Sequence, residues 1–306
     1  MKKIIYFLIS LFLFSCLIIF FFFPTYTKNV IYDTLYLWLS KVLVSLVPFY
    51  LISNLLLTFP FLSKLLYFPL TKIMHFESQK ACSLFLLSFI TGNPTSSILI
   101  ITSINNGISK QEGLRLLKGA VLNSPLFTIM MLPKPFGYFV YAVQVFTSII
   151  FYIINRPKKE ISLCNQNNNL INKSLVDIID NCPMVMLNIL STMLFVSVIK
   201  IPLNILINNI SIINNNTIIK TIVSFFLDMF ELTTGLNSVI YYPVSIFIRL
   251  IICSFMMSFG GIAITLQITT LAKKTSLNIT SLILSRIIHG IITSILFGLI
   301  LLIFFI

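Results

Sequence analysis

The sequence predicts an all-α polytopic membrane protein built as an inverted repeat. Hydrophobic residues make up 58% of its 306 residues and charged residues only 9%, and the mean hydropathy is +1.02. Such a composition lies outside the range of soluble domains. Two polar strings, Thr91–Pro94 and Thr233–Asn237, interrupt apolar runs in corresponding positions of the two halves. Matching interruptions of this kind are typical of secondary transporters.

Several apolar runs are long enough to cross a bilayer, which takes about 20 residues. These spans are predicted at 4–23, 35–59, 114–132, 137–154, 175–199, 246–271 and 282–305. The first run contains Leu13–Cys16, a string similar to a lipoprotein cleavage box, so a signal peptide is the alternative for this segment. Because the apolar run continues through Phe23, we expect a retained helix.

Two further segments, 81–105 and 218–245, each consist of two short apolar arms around a polar break. An arm of about 10 to 14 residues, rising 1.5 Å per residue, crosses only part of the hydrocarbon. We therefore expect two re-entrant hairpins, each of which returns to the side from which it entered.

The placement of basic residues supports this topology and places the N-terminus in the cytoplasm. With 81–105 drawn as a hairpin, the loops 60–80 and 106–113 are internal, 24–34 is an external loop, and 156–174 is a basic cytoplasmic loop. The lysines and arginines left on the outer side are Lys28, Lys41, Lys134, Lys200, Lys220 and Arg249. The net charge of +13 therefore reflects topology, and we expect no nucleic-acid partner.

Corresponding features recur at near-constant spacing in the two halves, and each half contains a broken helix. The matching pairs and their separations are Pro48 and Pro183 (135 residues), Gly92 and Gly235 (143), and Pro125 and Gly261 (136). The predicted organisation is an N-terminal helix with an external loop at 1–34, a first repeat at 35–155, the basic loop 156–174, and a second, inverted repeat at 175–306.

Helices that end inside the membrane present unpaired N–H or C=O groups, which can bind an anion or a cation. The side chains at the predicted breaks are neutral hydrogen-bonding groups, so we expect them and the neighbouring glycines to bind a small polar substrate. The alternative is that these small residues serve only close helix packing. The candidate substrate-binding residues are Thr91, Gly92, Asn93, Ser96, Ser97, Asn123, Ser124, Thr233, Thr234, Gly235, Asn237, Ser258, Gly260, Gly261 and Gln267, with Thr265 as a further candidate.

Glu231 lies beside the second break, where an unpaired carboxylate is costly at membrane depth. We expect Glu231 and Asp228, one turn apart on one helix face, to couple transport to H⁺ or Na⁺. An interfacial or salt-bridged glutamate is the alternative. Arg115, Lys118 and Arg286 are expected to extend to the inner membrane interface, and Arg115 is also a candidate to attract an anion.

The remaining patterns argue against several other functions. The five cysteines are scattered without a C-x-x-C pair, and His75 and His289 have no metal-ligand spacing. The sequence contains no nucleophile with a matching base, no phosphate-binding loop and no nucleotide motif. We therefore expect no metal, no cofactor and no enzymatic activity.

Longer strings surround these breaks: SFITGNP at 88–94, ISKQEGLRLL at 108–117, NSPLF at 123–127, FELTTG at 230–235, SFGG at 258–261 and RIIHG at 286–290. Together they resemble the nucleoside-recognition (Gate) domain membrane proteins, and within them the sporulation integral membrane protein (YlbJ) group. The resemblance covers about residues 43–290 and implies an architecture similar to concentrative nucleoside transporters. The chain departs from the family pattern at the first hairpin, with Asn93 in place of Tyr, Ser96 in place of Gly and Ile98 in place of Lys.

The resemblance implies export of dipicolinic acid, a small aromatic dicarboxylate, from the mother cell towards the forespore. We accordingly expect a secondary transporter of a small anionic or polar metabolite in a bacterial cell membrane, with the outer forespore membrane as the specific site. The alternatives are a transporter of nucleosides or other small carboxylates and a non-transporting membrane scaffold in spore envelope assembly. The expected partners are the substrate, the lipid bilayer and a coupling H⁺ or Na⁺, and a homo-oligomer also fits.

Overall fold

The computed structural model describes residues 2–58, 61–156, 175–273 and 275–305, and the regular structure in these ranges is helical. Apart from Arg156, the predicted basic loop 156–174 lies outside the described residues. Helical runs long and apolar enough to cross a membrane occur at Pro24–Leu57, Phe136–Ile154, Leu175–Ile207, Ile246–Lys273 and Ile279–Phe305. The structure is thus compatible with the predicted all-α integral membrane protein.

The helices of the first half precede the undescribed loop and those of the second half follow it. The first half contains α1 (Lys2–Phe22), α2 (Pro24–Leu37), α3 (Val44–Thr58), α4 (Phe61–Met74), α5 (Gln79–Thr91), α6 (Thr95–Asn105), α7 (Lys110–Gly119), α8 (Pro125–Met131) and α9 (Phe136–Ile154). The second half contains α10 (Leu175–Asn208), α11 (Ser211–Asn215), α12 (Thr217–Asp228), α13 (Leu232–Val239), α14 (Ile246–Phe259), α15 (Gly261–Lys273) and α16 (Ile279–Phe305).

Residues 24–34, predicted to form an external loop, are helical and belong to α2. Pro24 occupies the first turn of that helix, where its missing N–H would have had no intrahelical acceptor and where its restricted φ suits the helix. A π-helical turn, Trp38–Leu43, joins α2 to α3 without interruption. Pro24–Leu57 is therefore one apolar run of 34 residues rather than a loop followed by a span.

Residues 81–105 fold into α5 and α6 on either side of the predicted break. Gly92 ends α5 with a φ of +65°, a backbone conformation that L side chains rarely adopt. At the opposite end of the pair, Lys80 Nζ donates a hydrogen bond of 3.1 Å to the backbone oxygen of Asn106. The start of α5 therefore lies close to the end of α6, and the connection between the two helices lies at the opposite end of the pair.

The second break lies at 229–231, a few residues before the predicted string 233–237. The carboxylate of Glu231 accepts hydrogen bonds from the backbone N–H groups of Thr233 at 3.0 Å and Thr234 at 2.6 Å. Because this cap satisfies two N–H groups that have no intrahelical acceptor, α13 begins directly after Glu231. The predicted polar string is therefore the first part of a helix.

The predicted run 114–132 is broken as expected from its Asn-Ser-Pro string. The first arm, α7, ends at Gly119, and α8 begins at Pro125, where the Ser124 hydroxyl accepts a hydrogen bond of 3.2 Å from the Phe127 N–H. In the second half Gly260, with a φ of +82°, separates α14 from α15. Both positions agree with the breaks predicted from the sequence.

Two clusters of buried apolar side chains form the core. One is centred on residues of α3, α10, α13 and α14, and the other on residues of α5, α6 and α7. Outside these clusters, large apolar side chains point away from the protein, and Phe21 and Ile303 are 82% and 74% exposed. An apolar surface of this extent is expected of a protein whose helices contact lipid.

Gly92→Ala is expected to destabilise the protein, because the new Cβ would lie 2.0 Å from the backbone nitrogen of Ser124. The positive φ by itself costs an L residue about 1–2 kcal/mol. We expect the thermal unfolding midpoint of the purified variant in detergent to fall by several degrees. Gly298→Ala is the matched control, since its Cβ would lie 3.4 Å from the Ile251 side chain, an ordinary contact. Equal midpoints for the two variants would contradict the close packing at Gly92.

Candidate functional site

Residues from both halves line one cavity between the helix breaks, which we call the central cavity. It encloses about 450 Å³ of empty space, its opening included. The apolar lining consists of Val42, Leu46, Pro94, Phe127, Ile189, Met193, Leu232, Ala263 and Ile264. The polar lining consists of Asn93, Asn123, Ser124, Thr192, Glu231, Thr233 and Gln267. Three of the four helix breaks, those between α5 and α6, α7 and α8, and α12 and α13, therefore border this cavity, and the first two turns of α15 complete the lining.

The break between α5 and α6 is held against the break between α7 and α8. The backbone N–H of Asn93 donates to Leu122 O at 2.6 Å, and its side-chain amide donates to Ala120 O at 3.0 Å. The amide oxygen of Asn93 accepts a hydrogen bond of 2.5 Å from the Ser97 hydroxyl. Asn93 therefore pairs backbone groups that the two interruptions leave without helical partners.

The break between α12 and α13 is held against α15 in a similar way. The N–H groups of Ile262 and Ala263 donate to the backbone oxygens of Met229 and Phe230 at 2.8 and 3.0 Å. These donors belong to the first turn of α15, whose N–H groups have no acceptor within the helix. In both halves, backbone hydrogen bonds thus join a helix connection to the broken helix that follows it.

Two side-chain hydrogen bonds join the halves beside the central cavity. The amide nitrogen of Asn123 donates to Met257 O at 2.8 Å, and the amide nitrogen of Gln144 donates to the Ser258 hydroxyl at 3.2 Å. All four residues are buried. Asn123 and Ser258, predicted to bind substrate, therefore also connect the two halves.

Glu231 is the ionisable residue of the central cavity lining, and its side chain is 3% exposed. Its carboxylate already accepts the two N–H groups at the start of α13, where the helix dipole also favours a negative charge. The start of α13 is consequently occupied by the protein's own anion. This arrangement reduces the ability of the second break to attract an anionic solute.

Asp228 does not line the central cavity and does not share a helix with Glu231, since it ends α12 and Glu231 precedes α13. Its carboxylate pairs with Lys200 Nζ at 2.8 Å and accepts a hydrogen bond of 2.9 Å from the Tyr242 hydroxyl. The two carboxylates, expected to act together on one helix face, thus have separate surroundings.

Gln267 offers an unused acceptor to the central cavity. Its amide nitrogen donates to the hydroxyl of Thr192, whereas its amide oxygen is buried and has no hydrogen-bond partner among the described residues. Burying such a group without a partner costs roughly 1–3 kcal/mol. A solute that donates a hydrogen bond would remove this cost.

The structure divides the predicted substrate-binding residues into three groups. Those that line the central cavity are Asn93, Asn123, Ser124, Thr233 and Gln267, whereas Thr234 and Asn237 line a second cavity on the other side of α13. The others border neither cavity: Thr91, Gly92, Ser96, Ser97, Gly235, Ser258, Gly260 and Gly261. Gly235 permits close packing within the second half, because a Cβ there would lie 2.3 Å from Asp228 O.

Sequence reasoning missed the part of the cavity lining that comes from the two long helical runs Pro24–Leu57 and Leu175–Ile207. These residues are Val42, Leu46, Ile189, Thr192 and Met193. They lie in plain apolar runs whose sequence does not distinguish a cavity-facing side from a lipid-facing side. The helix prolines at 48 and 183 are the nearby signals that could have drawn attention to these runs.

Arg115 does not extend to the membrane interface as predicted. It is 2% exposed and donates to the backbone oxygens of Met74, His75 and Tyr152 at 2.5, 2.9 and 2.9 Å. Glu112, fully buried, lies 3.4 Å away as its ion partner. The guanidinium is retained inside because carbonyls at two helix ends need donors and arginine supplies five.

Arg286 is also buried, at 4% exposure, and not at the interface as predicted. Its Nε and Nη2 atoms donate to Phe259 O at 3.1 and 2.8 Å. That carbonyl ends α14 at the break, where the helix provides no donor for it. Gly260 permits this contact, since a Cβ there would lie 2.3 Å from Nη2.

Searches against protein-family models, curated proteins and solved structures find no match to this chain. Any functional interpretation therefore depends on the geometry of the two cavities and the contacts around them.

Arg286→Lys is expected to destabilise the protein, because a lysine cannot place two donors on Phe259 O. Hydrogen bonds from a charged donor contribute about 1.5–3 kcal/mol, so the thermal unfolding midpoint in detergent should fall measurably. Arg249→Lys is the control, since Arg249 also donates to two backbone oxygens, those of Val244 and Ile240, but is only partly buried. If both substitutions changed the midpoint equally, the assigned role of Arg286 at the break would be wrong.

Proposed function

We propose that the protein is a secondary transporter that carries a small polar metabolite across a bacterial membrane through the central cavity. The proposal rests on the convergence on this one cavity of three helix breaks, two from the first half and one from the second, together with the first two turns of α15. Interrupted backbone at membrane depth is tolerated only where it is buried in protein or lines a cavity. Broken helices around a central site are the means by which many transporters bind solutes.

The contacts of the breaks support the proposed inverted repeat with two re-entrant hairpins. The first proposed hairpin is α5–α6, and the second is α12–α13. Backbone hydrogen bonds join the connection of the first hairpin to the broken helix α7–α8, and the connection of the second to the broken helix α14–α15. The bond from Lys80 to Asn106 at the base of α5–α6 agrees with a segment that returns to its own side. Two hairpins of opposite orientation would provide the two gates that alternating access requires.

The proposed orientation, with a cytoplasmic N-terminus, follows from the positive-inside rule. Contacts of Arg115 with the end of α4 and of Lys118 with Asn155 bring together segments that this scheme places inside. Lys41, which the scheme places outside, donates to Met130 O at the end of α8, close to the external Lys134. The grouping of these contacts supports the scheme.

The central cavity favours a solute that is neutral or donates hydrogen bonds, and nucleosides are the candidate class that fits best. Its described lining contains no lysine or arginine, its one acidic residue is Glu231, and the Gln267 side chain has an unpaired acceptor. Dipicolinate, the substrate that the family resemblance implies, carries two negative charges, which Glu231 would repel. Binding of dipicolinate or another small carboxylate would therefore require a proton or Na⁺ to neutralise Glu231. Binding of that cation together with the solute is the proposed coupling step.

The alternative of a non-transporting scaffold in spore envelope assembly predicts that the basic loop 156–174 carries the function. Under that alternative, removing charges from the loop would impair assembly, and substitutions in the central cavity would have no effect. Transport through the central cavity predicts that substitutions in the cavity impair function and that removing charges from the loop has no effect.

Gln267→Leu and Glu231→Gln are expected to reduce solute uptake into proteoliposomes, measured with radiolabelled uridine and dipicolinate under imposed H⁺ and Na⁺ gradients. Loss of one hydrogen bond to the solute should lower apparent affinity by about tenfold for Gln267→Leu. Glu231→Gln should abolish the dependence of uptake on the cation gradient. Folding should persist in Gln267→Leu, because the lost acceptor has no described partner and the Thr192 hydroxyl, which loses the Gln267 donor, keeps its own bonds to Asn188 O and Ile189 O.

Thr270→Val is the matched control for Gln267→Leu, because Thr270 lies on the same helix, is exposed and, among the described residues, bonds only to Leu266 O within its own turn. It should retain wild-type uptake. Unchanged uptake in both cavity variants, with wild-type transport of either solute, would exclude the central cavity as the transport site.

A further inference from the structure

A second cavity lies on the other side of α13 from the central cavity, and we call it the outer cavity. It encloses about 560 Å³ of empty space, its opening included. Faces of three helices line it, with α2 contributing one side. The polar residues contributed by the other two are Ser197, Lys200 and Asn204 on α10 and Thr234, Asn237 and Ser238 on α13.

The outer cavity is distinct from the proposed transport site. Thr233 lines the central cavity, whereas its neighbour Thr234 lines the outer one, so the first turn of α13 separates the two. The polar residues on α10 are spaced i, i+3 and i+7 and those on α13 i, i+3 and i+4, which places each set on one helix face. Two polar helix faces thus meet in a chain that is otherwise strongly apolar.

Lys200 brings a positive charge with unused donors to the outer cavity. It is 7% exposed, and its ammonium has one described hydrogen bond, to Asp228 at 2.8 Å. An ammonium group has three donors, so two remain for other acceptors. Both carboxylate oxygens of Asp228 accept hydrogen bonds, one from Lys200 Nζ and the other from the Tyr242 hydroxyl.

Two hydroxyl groups in the same lining also have no described partner. Ser197 Oγ, on a residue 3% exposed, and Thr234 Oγ1 are both buried atoms without a hydrogen bond among the described residues. Ser238, in contrast, donates to Thr234 O within its own helix. Buried hydroxyls are normally paired, so both of these groups are available to donate to a bound acceptor.

We propose that the outer cavity binds the oxyanion group, carboxylate or phosphate, of a small solute or lipid headgroup. Lys200, Ser197 and Thr234 supply donors at its buried side, and an oxyanion has enough lone pairs to accept from all three. The other charged residue of the lining, Asp33, is exposed, so its repulsion of the anion is screened by solvent. The assignment of this site does not rest on the proposed transport through the central cavity.

The test measures thermal unfolding of the purified full-length protein in a neutral detergent. The probes are inorganic phosphate, succinate and micelles doped with phosphatidylglycerol, each compared with sodium chloride at equal ionic strength. We expect the midpoint to rise with at least one probe, because binding to the folded state stabilises it. A rise with phosphate or succinate identifies a soluble oxyanion, and a rise only with phosphatidylglycerol identifies a lipid headgroup.

Ser197→Ala and Thr234→Val should keep or raise the midpoint without any probe, since each removes an unpaired buried hydroxyl. Both should weaken the affinity for the active probe by about tenfold, which equilibrium dialysis with radiolabelled phosphate or succinate, or a titration with phosphatidylglycerol, would measure. Ser191→Ala is the matched control for Ser197→Ala on α10, because Ser191 is exposed and, in the part of the chain that the structure describes, bonds only to Leu187 O. A wild-type protein that no probe stabilises, or a response that persists in the Ser197→Ala, Thr234→Val double variant, would overturn the proposal.

Discussion

The pairing of backbone groups at the helix breaks is the constraint on which the rest of the structure depends. Each interruption leaves N–H and C=O groups without helical partners in an apolar interior, where an unpaired group is costly. The protein pairs them with each other: the α5–α6 connection with the α7–α8 break, and the α12–α13 connection with the start of α15. Because each break supplies what its neighbour lacks, the breaks must lie side by side, and the central cavity lies between them.

The same requirement explains why several ionic and amide side chains are buried. Arg115 and Arg286 donate to carbonyls at helix ends, and Asn93 and Asn123 donate to carbonyls near the breaks. Glu231 accepts the N–H groups that α13 leaves unpaired. Three of the six buried Asp, Glu, Lys and Arg side chains among the described residues, Arg115, Glu231 and Arg286, therefore pair with backbone groups at helix ends. The charges that also border a cavity, Glu231 and Lys200, are those to which we assign a further role.

The two cavities differ in electrostatic character although a single short helix separates them. The central cavity has a carboxylate and an unused amide acceptor, which suit a hydrogen-bond donor or a cation. The outer cavity has an ammonium with spare donors and unpaired hydroxyls, which suit an anion. This contrast arises at α13, where consecutive threonines point to opposite sides. Movement of that one helix would affect both cavities.

The sequence by itself determined the membrane class, most of the long helices and three of the four breaks, because apolar run length and Gly or Pro positions are local properties. It also identified five of the polar residues that meet at the central cavity, together with Glu231. The tertiary structure was needed to show that the second break falls at 229–231, that residues 24–34 are helical, that Arg115 and Arg286 are buried, and that Thr192 faces the cavity. The burial of the two arginines and the packing of the second break depend on which backbone groups need a partner, and residues distant in the chain supply those partners.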